Sequence, residues 1–195
     1  MEKSNFFAFI SRMKYINRWG LMRNIKDENV SEHSLEVAII AHALAVIQQK
    51  RLSIDINPER VALYALFHDS SEIFTGDLPT PVKYFNSTIK TAYKDVEQHA
   101  AKRLLKLLPK DLQKSYEPIL IPNEDESDVW KTVKAADKIT AYIKCIEEEK
   151  SGNKEFIQAK QTILNDIKKL NRQDVNIFLD QFMEGYYLTL DEMEK

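Results

Sequence analysis

Apolar residues return every three or four positions along almost the whole chain, and the residues that would interrupt them are scarce: 195 residues hold only four glycines and six prolines. Strand-like alternation is rare. That pattern predicts an all-α fold, a single bundle of roughly six to eight helices around one core. Helices are expected over residues 6–17, 31–50, 87–108, 128–150, 155–170 and 173–187. Another opens at Asn57-Pro58 and carries residues 61–74, a capping side chain followed by proline at the first helical position. Residues 75–81 should be a loop and 110–116 a short turn, with Pro118 and Pro122 flanking an irregular piece. The acidic stretch at 124–128 suits the positive end of the next helix. The run Glu147-Glu148-Glu149-Lys150 reads as a solvated helix end.

A formal charge of −2 and a pI near 6.1 give no global attraction to nucleic acid polymers or anionic membranes. No apolar stretch is expected to reach the roughly 20 residues of a membrane span, and the first ten residues lack a signal peptide's pattern. A soluble cytoplasmic protein is the expectation. A single cysteine, Cys145, excludes an intramolecular disulfide. Phe178, Phe182, Met183, Tyr186 and Tyr187 near the C-terminus can complete the core or build a homodimer.

Chemistry concentrates at Ala65-Leu66-Phe67-His68-Asp69-Ser70-Ser71-Glu72, with His33 upstream and Asp137 downstream. On a helical wheel, Val37, Ile40, Leu44 and Ile47 fall within about 40° of His33, which puts that histidine at the end of a buried stripe. His42 lies about 180° away and is read as a non-ligand. Val61, Tyr64 and Ala65 share the face of His68, as does Glu72 one turn on. Asp69 after an apolar run costs desolvation unless a cation meets it. Trp130, Val133, Thr140 and Ala141 lie on or near the face of Asp137; a structural carboxylate paired with Lys134 or Lys138 is the plainer alternative. Each residue is ambiguous singly. Together they supply two imidazoles and two carboxylates, a set suited to one divalent transition metal.

The order His33, His68-Asp69, Asp137 resembles the HD-domain phosphohydrolase superfamily. The stretches Asn17-Arg18-Trp19, Leu21-Met22-Arg23, Asn29-Val30-Ser31-Glu32-His33-Ser34 and Thr75-Gly76-Asp77-Leu78-Pro79-Thr80-Pro81-Val82-Lys83 narrow the resemblance to its bacterial 5′-deoxynucleotidases. The resemblance implies a single HD domain over residues 1–195. It implies that His33, His68, Asp69 and Asp137 bind one metal such as cobalt or manganese. It makes Glu72 the acid/base and Arg18 the group that orients phosphate, with Trp19 beside the nucleotide. Asp77, Leu78, Pro79 and Thr80 would line the sugar side, and His33, Asp69 and Asp137 would also face the substrate. The implied reaction is attack of a metal-activated water on a deoxyribonucleoside 5′-monophosphate.

That chemistry is self-consistent. A metal neutralises phosphate charge and acidifies water, a guanidinium fork matches phosphate, and the leaving 5′-oxygen needs a proton. For Arg18 the plainer reading is a surface arginine, for Trp19 a loop plug, and for Asp77 a turn cap. Rival functions are another HD nucleotide hydrolase acting on an alarmone or a cyclic nucleotide, a catalytically silent sensor, and a scaffold with a structural metal. Two-metal HD enzymes carry extra histidines, and only His42 and His99 remain here.

Overall fold

The computed structural model describes residues 3–83, 85–123 and 127–194. Among these the fold is all-α, with no strand beyond an isolated bridge between Asn17 and Asn29. The helices are α1 (Phe6–Ile10), α2 (Val30–Arg51), α3 (Pro58–Phe67), α4 (Glu72–Thr75), α5 (Thr80–Lys83), α6 (Ser87–Leu105), α7 (Lys110–Leu120), α8 (Ser127–Lys150), α9 (Ile157–Lys169), α10 (Gln173–Phe182) and α11 (Leu190–Met193). The count exceeds eight because several segments are single turns; those of ten residues or more number seven. Short 3₁₀ turns cover Ser11–Tyr15, Lys154–Phe156 and Glu184–Tyr187.

The core forms where α2 packs against α3, α8 and α10. Asn29 starts α2 by accepting from the Ser31 and Glu32 amides, both at 3.0 Å. The stripe that follows, Val37, Ile40, Leu44 and Ile47, is buried as the wheel requires, and His42 is exposed. Asn57 caps α3 through the Arg60 amide at 2.8 Å, with Pro58 opening the helix. Ala135 and Ala136 on α8 are buried, and such small side chains permit close helix approach. A second cluster of Phe6, Leu104, Leu105, Leu108 and Leu120 seats α1, α6 and α7 beside this core.

Several expectations are corrected. The helix expected over 6–17 tightens into a 3₁₀ turn after Ile10. The helix expected to run through residue 74 stops at Phe67 and restarts at Glu72. In between, the amides of Ser70 and Glu72 reach back three residues, to Phe67 O (3.0 Å) and Asp69 O (2.9 Å), in place of four. Thr80 and Pro81 belong to a short helix, the proline tolerated in its first turn. Residues 110–120 are a full helix with Pro118 in its last turns. Apolar packing of Tyr116, Ile119 and Leu120 outweighs the hydrogen bond that proline removes. Of the acidic stretch at 124–128, residues 124–126 lie outside the described residues.

Helix α2 is long and apolar enough, by length and composition, to cross a membrane, contrary to the expectation from sequence. A core helix covered on several sides must be apolar for the same reason a spanning one is. Of the qualifying window, 56% is buried inside the protein. The C-terminal aromatic residues divide: Phe178 and Met183 join the core, whereas Phe182 and Tyr187 remain exposed. Phe182 borders an apolar groove of about 390 Å³ that it shares with Ile39, Ala43, Tyr186 and Met193.

Glu148 overturns the reading of its run as a solvated end. It is buried, and it accepts from Lys144 Nζ (2.5 Å), Asn153 Nδ2 (2.7 Å) and the amides of Ile25 (3.0 Å) and Lys26 (3.3 Å). Lys144 also donates to Lys26 O. This buried pair clasps the long loop before α2 onto α8. Glu148→Gln leaves Lys144 without its counter-charge. The expected cost is about 3 kcal/mol, roughly 6–12 °C in Tm for a chain of this size. Burial opposes ionisation of Glu148, but Lys144, Asn153 and the two amides prevail and hold its carboxyl at about 2, below the ordinary 4.5. The folded state therefore binds fewer protons in that window. The stabilisation is complete above pH 4.5 and is lost as pH falls through about 2. The Tm gap between wild type and Glu148→Gln should shrink over that range; a constant gap would contradict the ion-pair account.

Candidate metal centre

Three parts of the fold meet at one point. His33 comes from the first turn of α2, Asp137 from the middle of α8, and His68 and Asp69 from the break between α3 and α4. The break resolves a difficulty of adjacency. On a continuous helix His68 and Asp69 would diverge by about 100°, whereas the tightened turn brings His68 Nε2 and Asp69 Oδ2 to 3.1 Å. His33 Nε2 lies 3.0 Å from Asp137 Oδ1 and 3.7 Å from Asp69 Oδ2. Ligand atoms of His33, His68 and Asp69 all lie within 4.8 Å of one another. Asp137 turns to His33 rather than to Lys134 or Lys138.

The donor set fits a divalent metal on two observations. The first is the orientation of His68. Its Nδ1 is 2.7 Å from Ala65 O and can only donate there, which leaves the Nε2 lone pair facing the cluster. That Nε2 is buried and, although 3.1 Å from Asp69 Oδ2, is not aligned for a hydrogen bond. The second is charge. Burial opposes ionisation of Asp69, but His68, His33 and Arg18 hold its carboxyl far below the usual range. Asp137 sits at about 2 in the same way, burial being outweighed by His33 and then His68. His68 is drawn up to about 8, burial being outweighed by Asp69 and then Asp137. Two ionised carboxylates thus favour positive charge at His68, the response of a site that favours a cation. His33, His68 and Asp69 are therefore the residues that could hold a metal, with Asp137 joined to them through His33.

Around this cluster stand the other candidates. Arg18 is largely enclosed, its side chain 12% exposed, and is not a surface arginine. Its Nε meets Glu28 Oε2 at 3.0 Å and its Nη1 lies 3.5 Å from Asp69 Oδ2. Burial disfavours its charge, yet Asp69, Asp137, Glu28 and Asp77 together raise its pKa. Trp19 donates from Nε1 to Glu28 Oε2 at 2.8 Å and packs on Phe156, ring centres 5.3 Å apart. Glu72 is buried with Oε2 unpartnered. Burial, reinforced by Asp69 and Asp77, pushes its carboxyl up to about 10. Asp77 is raised by burial against the pull of Arg18, with the nearby Trp19 backbone also favouring its charged form. Gly76, at φ +71°, turns the chain into this loop after its amide bonds Glu72 O at 2.8 Å. Leu78 and Pro79 are half-buried and Thr80 is exposed. Pro79 O is engaged within the loop, by Val82 and Lys83 amides at 2.8 and 3.0 Å.

Sequence reasoning does not single out Glu28. It stands in the charged stretch Lys26-Asp27-Glu28 and carries no helical periodicity. Only the return of the loop through the Asn17–Asn29 bridge brings it to Arg18, whose amide donates to Glu28 O at 2.9 Å.

The family model described as 5′-deoxynucleotidase YfbR-like matches residues 5–186. The chain belongs to the YfbR-like family. Among curated relatives, the 5′-deoxynucleotidase of Vibrio cholerae serotype O1 is 49% identical over 193 residues, spanning 99% of this chain and 100% of the relative. The 5′-deoxynucleotidase of Cronobacter sakazakii is 47% identical over 195 residues, spanning 100% of this chain and 98% of the relative. Among solved structures, an HD-domain phosphohydrolase from Listeria innocua superposes with a TM-score of 0.82 at 24% identity, covering 98% of this chain and 92% of that one. The all-α architecture of the YfbR-like chain is thus the HD-domain fold.

Proposed function

We propose that the chain, as a single HD domain, hydrolyses deoxyribonucleoside 5′-monophosphates to deoxyribonucleosides and phosphate. The observation that carries this reading is the convergence of His33, His68, Asp69 and Asp137, with the buried, unpartnered Nε2 of His68 turned toward the others. Family membership and the names of the relatives supply the substrate class. The donor set of two imidazoles and two carboxylates suits one first-row divalent metal, cobalt or manganese among them. Bound there, such a metal supplies neutralisation of phosphate charge and acidification of water.

The side chains divide the remaining work. Arg18 presents a permanently charged fork to the phosphate, already aligned beside Asp69. Glu72, holding its proton at neutral pH because it is buried, donates it to the leaving 5′-oxygen. Trp19 and Asp77 bound the sugar side, the Trp19 backbone lying near the Asp77 carboxyl. Leu78, Pro79 and Thr80 continue that wall. A 2′-hydroxyl brought against it meets a steric limit or leaves a polar group unpaired.

Phosphate release measured across dAMP, other deoxynucleotides, the ribonucleotides and a cyclic nucleotide, each with cobalt, manganese, magnesium or zinc, tests the reading. Turnover of the deoxy series well above the ribo series is expected. Asp77→Ala should narrow the dAMP-to-AMP preference by about tenfold. Preference for a cyclic nucleotide would overturn the substrate class, and unchanged discrimination would remove Asp77 from the sugar wall.

A further inference from the structure

The geometry points to Glu28 as a positioning residue, one buried carboxylate that fixes Arg18 and Trp19 as a unit and so couples phosphate alignment to sugar discrimination. The inference rests on the 5′-deoxynucleotidase reading for its kinetic consequences and on the structure for its anchoring role. The Glu28 side chain is 9% exposed, and a single oxygen, Oε2, receives both Arg18 Nε (3.0 Å) and Trp19 Nε1 (2.8 Å). Consecutive side chains on an extended backbone point to opposite sides. These two share an acceptor because Trp19 stands at φ +58°, a left-handed conformation that non-glycine residues rarely adopt. Backbone strain of this kind persists only where surrounding contacts over-determine it. Here those contacts are the Glu28 bond, the Phe156 ring, and the Met22 amide on Trp19 O at 2.8 Å.

Glu28 also settles a competition. Arg18 faces two carboxylates, Glu28 at 3.0 Å and Asp69 at 3.5 Å. Without Glu28 the guanidinium is drawn onto Asp69, away from the direction a phosphate would occupy, and the Trp19 indole loses its only hydrogen-bond acceptor among the described residues. The other oxygen, Oε1, lies 3.9 Å from His33 Nδ1, itself buried and unpartnered. The carboxylate therefore sits against all three groups on this side of the cluster without belonging to the proposed ligand set.

Two variants and two readouts test this. Glu28→Ala should lower kcat/KM for dAMP by about tenfold or more, the size of one misplaced charge-assisted hydrogen bond. The loss should fall chiefly on KM. The dAMP-to-AMP preference should drop about fivefold, with metal content by elemental analysis unchanged. Glu28→Gln retains an oxygen for both donors and should recover part of each effect. Independently of turnover, Trp19 emission in a Trp130→Phe background should shift to the red in Glu28→Ala as the indole is released. If wild type does not hydrolyse dAMP yet this emission shifts, the substrate reading fails while the anchoring stands. Unchanged emission, or kinetic parameters that match wild type, would overturn the proposal. So would loss of metal or of folding in Glu28→Gln, since that variant keeps the volume and the acceptor.

Discussion

Glu72→Gln is expected to lower phosphate release from dAMP by about a thousandfold, inside the 10²–10⁴ range usual for removal of a general acid or base, while elemental analysis still finds the metal. The size of the effect follows from the position of the group. Glu72 opens α4, immediately after the break that presents His68 and Asp69, and its buried carboxyl feels the charges of Asp69 and Arg18. Burial, with Asp69 and Asp77 nearby, holds it at about 10 despite the opposing charges of Arg18 and Lys83. At neutral pH it is a carboxylic acid with a proton to give and one oxygen unpartnered. Glutamine matches its shape and carries no such proton. Activity within tenfold of wild type would show that the leaving oxygen takes its proton from elsewhere.

The second large effect belongs to the ligands. His68→Ala should reduce metal content from about one ion per chain to near zero and turnover to background, and Asp137→Ala should do the same. His68 is the more telling of the two because its orientation is set before any ion arrives: the Ala65 carbonyl fixes Nδ1 as the donor, leaving Nε2 to ligate. Added metal should not restore His68→Ala at concentrations that saturate wild type. A variant that retained its metal would place the ion elsewhere in the protein.

The sequence shows these residues unequally, for physical reasons. His33 is legible because α2 is regular and its buried stripe can be drawn on a wheel; every residue of that stripe is buried. His68 and Asp69 are legible as chemistry and illegible as geometry. Asp69-Ser70 can be read as a fraying helix end, but no residue in Phe67-His68-Asp69-Ser70-Ser71-Glu72 signals a restart at Glu72, and the break is what lets neighbouring residues face one point. Proline misled in the other direction at Pro118, where amphipathic packing carries α7 through. Glu28 and Glu148 are the least legible. Glu148 lies in a charged run that reads as solvated and Glu28 in a charged loop without periodicity, and each is buried by a partner far along the chain or across a loop, Lys26 and Ile25 for Glu148, Arg18 and Trp19 for Glu28. Contacts of that kind follow from loop closure, which has no period to detect.

The proposed centre draws its four side chains from three segments widely separated in sequence, and the chemistry depends on their sharing one ion. Anomalous diffraction from crystals loaded with cobalt or manganese measures this directly. One strong peak per chain, coordinated by His33, His68, Asp69 and Asp137 with Glu72 and Arg18 beside it, is the predicted result. A peak that leaves out Asp137 or either histidine, or two metal peaks in the cavity, would contradict it.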